Sequence, residues 1–322
     1  MIYPTFIKRG DYIGITAPSD GVGKKIEHYE KALESLKENG FLIKETASVR
    51  NNRSPSSSAT KRGKEFNQLV KDDEVKLILC ASGGDFLMEM LDKVDYKAYL
   101  KNPKWFMGMS DPSTLLFTLT TKYDIATIYG HNVGTFDNPL KDRAYKTALA
   151  YMQGDLIKQE SYDLYQTSFI DDNSPLAKVY YKTPNGDVDI KGRMIGGCVD
   201  ALRDIVGTKY DGMKQFNTKY GDNIFFIDNF ALTGEDLYHC LFLMKENDWF
   251  INTKAVLFSR TAFPNENHFK YQKALRKIFG HKMPLVLDAD IGHTDPRMTL
   301  ISGALAHLVV KEGTGSLEFS LE

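Results

Sequence analysis

Two apolar runs of strand length each break off at a small-residue turn. Val75-Lys76-Leu77-Ile78-Leu79-Cys80 is followed by Ser82-Gly83-Gly84, and Trp105-Phe106-Met107-Gly108 by Met109-Ser110-Asp111-Pro112. Between them Leu87, Met90 and Leu91 mark a helix. The same alternation fills the first half of the chain. A strand over 12–17 ends in the turn signal Pro18-Ser19-Asp20-Gly21. Ile26, Tyr29, Leu33 and Leu36 share one helical face, and Gly40 caps it. A strand at 41–43, a polar serine-rich loop over 51–60, a helix with Phe66, Leu69 and Val70, and a helix through Leu115, Leu116 and Leu119 complete the pattern. Strands alternating with helices predict a parallel sheet with crossovers. In such a sheet the ligand site lies beyond the carboxyl ends of the strands. Gly83-Gly84 and Ser110 both occupy that kind of position.

The stretch 154–183 breaks the pattern. It is polar, poorly periodic and carries Tyr162, Tyr165, Phe169, Tyr180 and Tyr181. It reads as a linker or a long loop of the sort that often serves as a lid. A second half follows. Strands are expected at 187–195, 223–228, 254–258 and 284–290, with two short ones near 308–310 and 316–321. Helices are expected at 199–206, 235–246 and 267–279. The resulting division is 1–153, a connecting segment 154–184, and 185–322. At 322 residues the chain is long enough for two ordinary domains.

Charge and cysteine use narrow the function. The formal net charge is -1, with both signs interspersed, so nothing points to a nucleic-acid or acidic-membrane partner. Cys80, Cys198 and Cys240 have no metal-binding or disulfide spacing and read as reduced thiols. The start of the chain has no apolar signal-peptide core, and no stretch approaches a membrane span. A cytoplasmic protein is expected. Walker, HExxH and dinucleotide fingerprints are absent, so the sequence requires neither a metal nor a cofactor.

A serine at a sharp strand-to-helix turn presents its hydroxyl beside convergent backbone N–H groups, the geometry of an activated nucleophile. Ser110 sits on such a turn. It needs a base, a group to orient the base, and oxyanion donors. Of seven histidines, His28, His239 and His268 lie in helical patterns, His281 sits beside lysines, and His307 lies in the last apolar, helix-like segment. His131 and His293 both follow strand-like runs on turns; His293, bracketed by Gly292 and Pro296, stands slightly ahead. Asp228 ends the most apolar strand of the second half, where either a buried paired carboxylate or an exposed strand-end acid fits. Gly83-Gly84 can bring N–H groups near a substrate oxygen. Gly196-Gly197 reads mainly as packing.

These motifs, in this order, resemble the LD-carboxypeptidases, a family that includes the microcin C immunity peptidases. The resemblance spans nearly the whole chain. It rests on Thr16-Ala17-Pro18-Ser19, Ser82-Gly83-Gly84, Leu91-Asp92-Lys93-Val94-Asp95-Tyr96 and the segment Asn102 through Asp111. In the second half it rests on Gly192-Arg193-Met194-Ile195-Gly196-Gly197, Phe226-Ile227-Asp228 and Gly292-His293-Thr294-Asp295-Pro296. It implies an α/β fold: a flavodoxin-like parallel-sheet N-terminal domain plus a smaller β-rich α/β C-terminal domain. It also implies a Ser–His–Glu triad split between them, with Ser110 as nucleophile and His293 as base, and with the backbone N–H groups of Gly84 and Asp111 as oxyanion hole. A cytoplasmic, metal-independent homodimer acting on a small peptide is the expected form.

The chain departs from the family pattern at three places. Asp228 stands where the family has glutamate, one methylene longer; Glu235 is the alternative acid. Cys198 follows Gly196-Gly197 where asparagine is common, and Met109 precedes Ser110 where tyrosine is common. The leading expectation is a serine peptidase that releases a terminal D-amino acid from a peptidoglycan tetrapeptide. A second is the immunity-type cleavage of an aminoacyl-nucleotide amide. That subgroup stacks the base on a loop tryptophan, for which Tyr162 or Tyr165 would have to substitute, since Trp105 and Trp249 lie elsewhere. A third is a binding protein that has lost catalysis.

Overall fold

The computed structural model describes residues 1–137, 142–169, 174–266 and 268–322. Strands β1 (Tyr12–Thr16), β2 (Leu42–Glu45), β3 (Val75–Cys80), β4 (Trp105–Gly108) and β5 (Thr127–Tyr129) are all parallel, in the order β2-β1-β3-β4-β5. This is the flavodoxin order, with its switch point between β1 and β3. β4 and β5 are buried throughout, and β3 is buried except at Lys76. Strands covered on both faces read as continuous apolar runs, which is why β3 and β4 were visible in the sequence, whereas the three-residue β5 was not among the expected strands.

The flanking helices are α1 (Ile26–Glu38), α2 (Ala59–Lys71), α3 (Tyr96–Lys101), α4 (Ser113–Tyr123) and α5 (Asp142–Met152). α1 buries the predicted stripe of Tyr29, Leu33 and Leu36. Ser58 caps α2 by accepting a hydrogen bond from the Lys61 N–H. The Leu87 segment is a 3-10 helix over Leu87–Lys93 rather than an α-helix. α4 is buried on all sides from Ser113 to Thr121, because it is packed between the first sheet and the second half of the chain.

The second half adds β6 (Gln159–Glu160), β7 (Leu164–Gln166), β8 (Leu176–Lys178), β9 (Val188–Cys198), β10 (Asn223–Asp228), β11 (Thr253–Ser259), β12 (Leu285–Ala289), β13 (Leu300–Ser302), β14 (Leu305–Lys311) and β15 (Thr314–Ser320). Seven of these form one sheet in the order β12-β11-β10-β9-β14-β15-β6. β9 to β12 run parallel; β14, β15 and β6 complete it antiparallel. Helices α6 (Val199–Leu202), α7 (Met213–Tyr220), α8 (Gly234–Glu246) and α9 (Tyr271–Phe279) accompany it. β13 crosses back and pairs antiparallel with β5, so the first sheet ends on a strand from the second half.

Several expectations differ from this fold. The connecting stretch holds edge strand β6 and the β7–β8 hairpin, strands too short and polar to show a period; residues 170–173 lie outside the described residues. β9 runs through Gly196-Gly197 to Cys198 instead of stopping at 195, and the helix after it is a single turn. The expected helix at 267–279 begins at Tyr271, His268 precedes it, and Asn267 lies outside the described residues. His307 belongs to strand β14, not to a helix, and its Nε2 lies 2.8 Å from Asp189. Among the described residues no helix is long and apolar enough to cross a membrane.

Gly196 explains how β9 continues. Its φ is +151°, and a Cβ there would fall 1.9 Å from the carbonyl oxygen of Phe226 on the paired strand. No side chain fits without moving the ladder. Gly196→Ala is therefore expected to lower stability by about 2–4 kcal/mol. Urea unfolding that returns the parent midpoint would refute this reading.

Candidate functional site

The carboxyl ends of β1, β3 and β4 open into a cleft of about 880 Å³, and the second half supplies its other wall. Ser110, Gly83, Gly84 and Asp111 line one side, and His293 and Cys198 the other. Ser110 has φ +69°, a left-handed conformation that a non-glycine residue rarely adopts. Backbone strain of this kind collects at functional turns. Gly83 is the close approach to it: a Cβ there would sit 3.0 Å from Ser110 Oγ.

The turn is tied down on every side. Asn132, after β5, accepts from the Met109 N–H at 3.1 Å and donates to the Met109 carbonyl at 3.3 Å. The Asp111 carboxylate accepts from Ser19 Oγ and from the Leu87 N–H at 2.8 Å, joining the turns after β1 and β3 to the turn after β4. Burial pushes the Asp111 carboxyl above its usual range, against the pull of those bonds. Arg62 of α2, fully buried, donates to the carbonyls of Pro18 at 2.7 Å and Phe86 at 2.8 Å, and to Glu89 at 2.9 Å. It staples the turn after β1 to the turn after β3, which carries Gly83-Gly84.

Across the cleft, Cys198 and Asp228 lie side by side in register at the tips of β9 and β10. The Cys198 N–H donates to Ser113 Oγ of α4 at 2.9 Å, which binds this strand tip to the helix that follows Ser110. Asp228 is completely buried, and its Oδ2 lies 2.8 Å from Nδ1 of His293. The shorter acid thus reaches the ring. It reaches off axis, however: Nδ1 has no aligned hydrogen bond, and Oδ1 of Asp228 has none either. Tyr129, at the end of β5, donates its phenol O–H to Oδ2. Burial alone pushes the Asp228 carboxyl up, but the adjacent His293 imidazole, the Tyr129 bond and the Arg297 charge prevail and hold it below its usual value. Burial and the neighbouring Asp228 push the Tyr129 phenol far up, so it stays a donor. The Cys198 thiol is pushed well up by burial, then by Asp228 and Asp200.

The other sequence candidates fall away from this centre. His131 is buried and pairs with Thr135 at 3.0 Å without lining the cleft. Glu235 is exposed in the first turn of α8 and does not line the cleft either. Tyr162 lies under the Arg143 guanidinium at 4.0 Å and Tyr165 under Arg260 at 4.2 Å, so neither faces the cleft. Phe169 does, with its ring edge-on to His293 at 5.7 Å, while Phe230 flanks the same imidazole at 4.5 Å. Met109 is buried, and its Sδ lies 2.6 Å from Nη1 of Arg297, which is itself paired with Asp295.

The chain also matches known proteins over most of its length. The LD-carboxypeptidase N-terminal domain profile matches residues 13–130, and the C-terminal domain profile matches residues 191–308. A probable murein peptide carboxypeptidase of Bacillus subtilis is 24% identical, with 98% of this chain and 94% of the relative covered. The microcin C7 self-immunity protein of Escherichia coli is also 24% identical, with 91% and 89% covered. The crystal structure of muramoyltetrapeptide carboxypeptidase from Oxalobacter formigenes superposes with a TM-score of 0.76 at 18% identity, covering 96% of this chain and 99% of that one. The chain belongs to the LD-carboxypeptidase family and is a serine-type carboxypeptidase.

Proposed function

We propose that the chain hydrolyses an L–D amide bond and releases a terminal D-amino acid from peptidoglycan tetrapeptides through an acyl-enzyme. Ser110 attacks the carbonyl of the L-residue. His293 takes the serine proton and returns it to the leaving amine, and Asp228 balances the imidazolium. The N–H groups of Gly84 and Asp111 receive the oxyanion. The observation that carries this reading is a strained serine sharing a cleft with a histidine whose second nitrogen stands 2.8 Å from a buried, ionised carboxylate. The test is D-alanine release from a muropeptide tetrapeptide, with an all-L isomer as control. Intact tetrapeptide after incubation with folded protein would sink the proposal.

One observation keeps the immunity-type cleavage in view. Phe169, from the connecting stretch, presents an aromatic ring to the cleft, where a nucleobase could stack. Turnover of a processed microcin-like aminoacyl nucleotide, run beside the tetrapeptide, separates the two. Faster cleavage of the nucleotide reverses the assignment. A fluorophosphonate adduct on Ser110 would dispose of the reading as a binding protein without catalysis. We place the activity in the cytoplasm, in keeping with three free thiols, and in a homodimer, which sedimentation equilibrium reads directly.

Tyr129→Phe tests the acid. Without the phenol donor the ionised carboxylate of Asp228 loses a bond that favours it, so its pKa rises. Freed of a competing donor, that carboxylate holds an imidazolium proton on His293 more firmly. Because the base acts only when neutral, the acid limb of kcat/KM should move to higher pH and kcat near neutrality should fall about tenfold. An acid limb that stays in place would remove Tyr129 from the proton machinery.

A further inference from the structure

Cys198, Asp228 and His293 are all buried, and each offers one donor atom such that the three lie within 4.8 Å of one another. Among the described residues, no second group of three or more metal-type ligands gathers in this way. We propose that these three side chains form an inhibitory binding site for a soft divalent cation of the zinc class, which shuts the enzyme down by capturing its base.

The donor set fits such an ion: thiolate, imidazole and carboxylate are the three protein ligand types that zinc takes. A thiolate and a carboxylate together neutralise a divalent charge, and the thiol proton leaves to solvent when the sulfur binds. Two of the donors are fixed by the sheet, since Cys198 and Asp228 face each other across the β9–β10 ladder. His293 comes from the turn after Gly292, which lies directly against Asp228. Within this trio Nδ1 of His293 and Oδ1 of Asp228 are buried without an aligned hydrogen bond, so neither donor is committed to a group outside it. Bond lengths of about 2.0–2.3 Å in a tetrahedral centre separate ligand atoms by roughly 3.3–3.7 Å. The 2.8 Å pair must therefore open slightly and the widest separation close by about 1 Å. Cys198 and His293 both line the cleft, which gives the ion an entry path and leaves its fourth position to water.

Inhibition follows from imidazole chemistry. A ring that binds metal through one nitrogen carries its proton on the other. With Nδ1 on the cation, the nitrogen available to Ser110 is an N–H donor and cannot accept the serine proton. The inhibition half of the proposal rests on the catalytic reading above; the binding half does not.

The experiment is a titration of tag-free, metal-stripped full-length protein with Co²⁺, followed by displacement with Zn²⁺. One equivalent should produce the sulfur-to-cobalt absorption of a thiolate complex together with strong tetrahedral visible bands. Cys198→Ser should lose the thiolate absorption and weaken Zn²⁺ binding by at least about 10–100-fold. In the tetrapeptide assay Zn²⁺ should suppress turnover of the parent, chelator should restore it, and Cys198→Asn should resist, each protein read against its own metal-free rate. Anomalous scattering at the zinc edge from a soaked crystal of the parent checks the site without any variant, by placing the ion within bonding distance of Sγ. A parent spectrum without thiolate absorption, or an ion elsewhere in the crystal, overturns the proposal. A parent that binds cobalt through Cys198 yet turns over no tetrapeptide would instead count against the assigned substrate.

Discussion

Ser110→Ala should reduce kcat/KM for tetrapeptide hydrolysis by roughly 10⁴–10⁶-fold, equivalent to about 5–8 kcal/mol of lost transition-state stabilisation. His293→Ala should fall into the same range. The double variant should be hardly worse than either alone, because nucleophile and base act as one unit and removing either disables the other. The backbone adds a second arm to the test. Ser110 holds φ +69°, a conformation glycine adopts without the Cβ penalty. Ser110→Gly should therefore be as inactive as the alanine variant yet more stable by about 1 kcal/mol. Folding and function pull in opposite directions at this residue only if the strain serves to present the hydroxyl. A glycine variant that is less stable than the parent would deny that the turn is strained, and an alanine variant that still turns over would deny that it presents a nucleophile.

How much of this could be read from residue order depends on whether the signal is local. β3 and β10 were delimited correctly because strands covered on both faces are continuous apolar runs, bounded here by turn residues. Ser110 and His293 were singled out because glycines and a proline mark their turns. The ligands of those turns were not found. Arg62 and Asn132 do their work through partners distant in the chain, and a buried arginine holding two carbonyls has no local signature. Tyr129 was passed over as part of a short strand, although its hydroxyl meets Asp228 from 99 positions away. The same limit hid β6, β7 and β8, whose pairing partners are supplied by other segments and whose own residues alternate too briefly to show a period. Gly196-Gly197 was correctly taken as packing, but the pair lies inside a strand rather than at its end. A glycine there permits close approach of the neighbouring backbone, and composition alone does not distinguish that from a turn.

Asp228→Asn should lower kcat by about 10³–10⁴-fold while KM changes little, because an amide can neither balance the imidazolium nor hold the ring in the tautomer that accepts the serine proton. Restoring the family's glutamate is the more informative change. The carboxylate of Asp228 already reaches Nδ1 of His293 at 2.8 Å, and the same oxygen accepts from Tyr129. There is no slack around it: the position a Cβ would take on Gly292 is 2.1 Å from Oδ1. An extra methylene must drive the carboxylate past the ring or force the Gly292 turn outward. A misplacement of about 1 Å costs roughly 100-fold in rate, so Asp228→Glu should lose 10–100-fold rather than gain. If the aspartate were a mark of decay, the longer acid would raise activity instead. A loss means that Tyr129, Gly292 and the β10 tip have settled around the shorter side chain, and that the chain is a working enzyme whose orienting acid comes from one bond closer to the backbone.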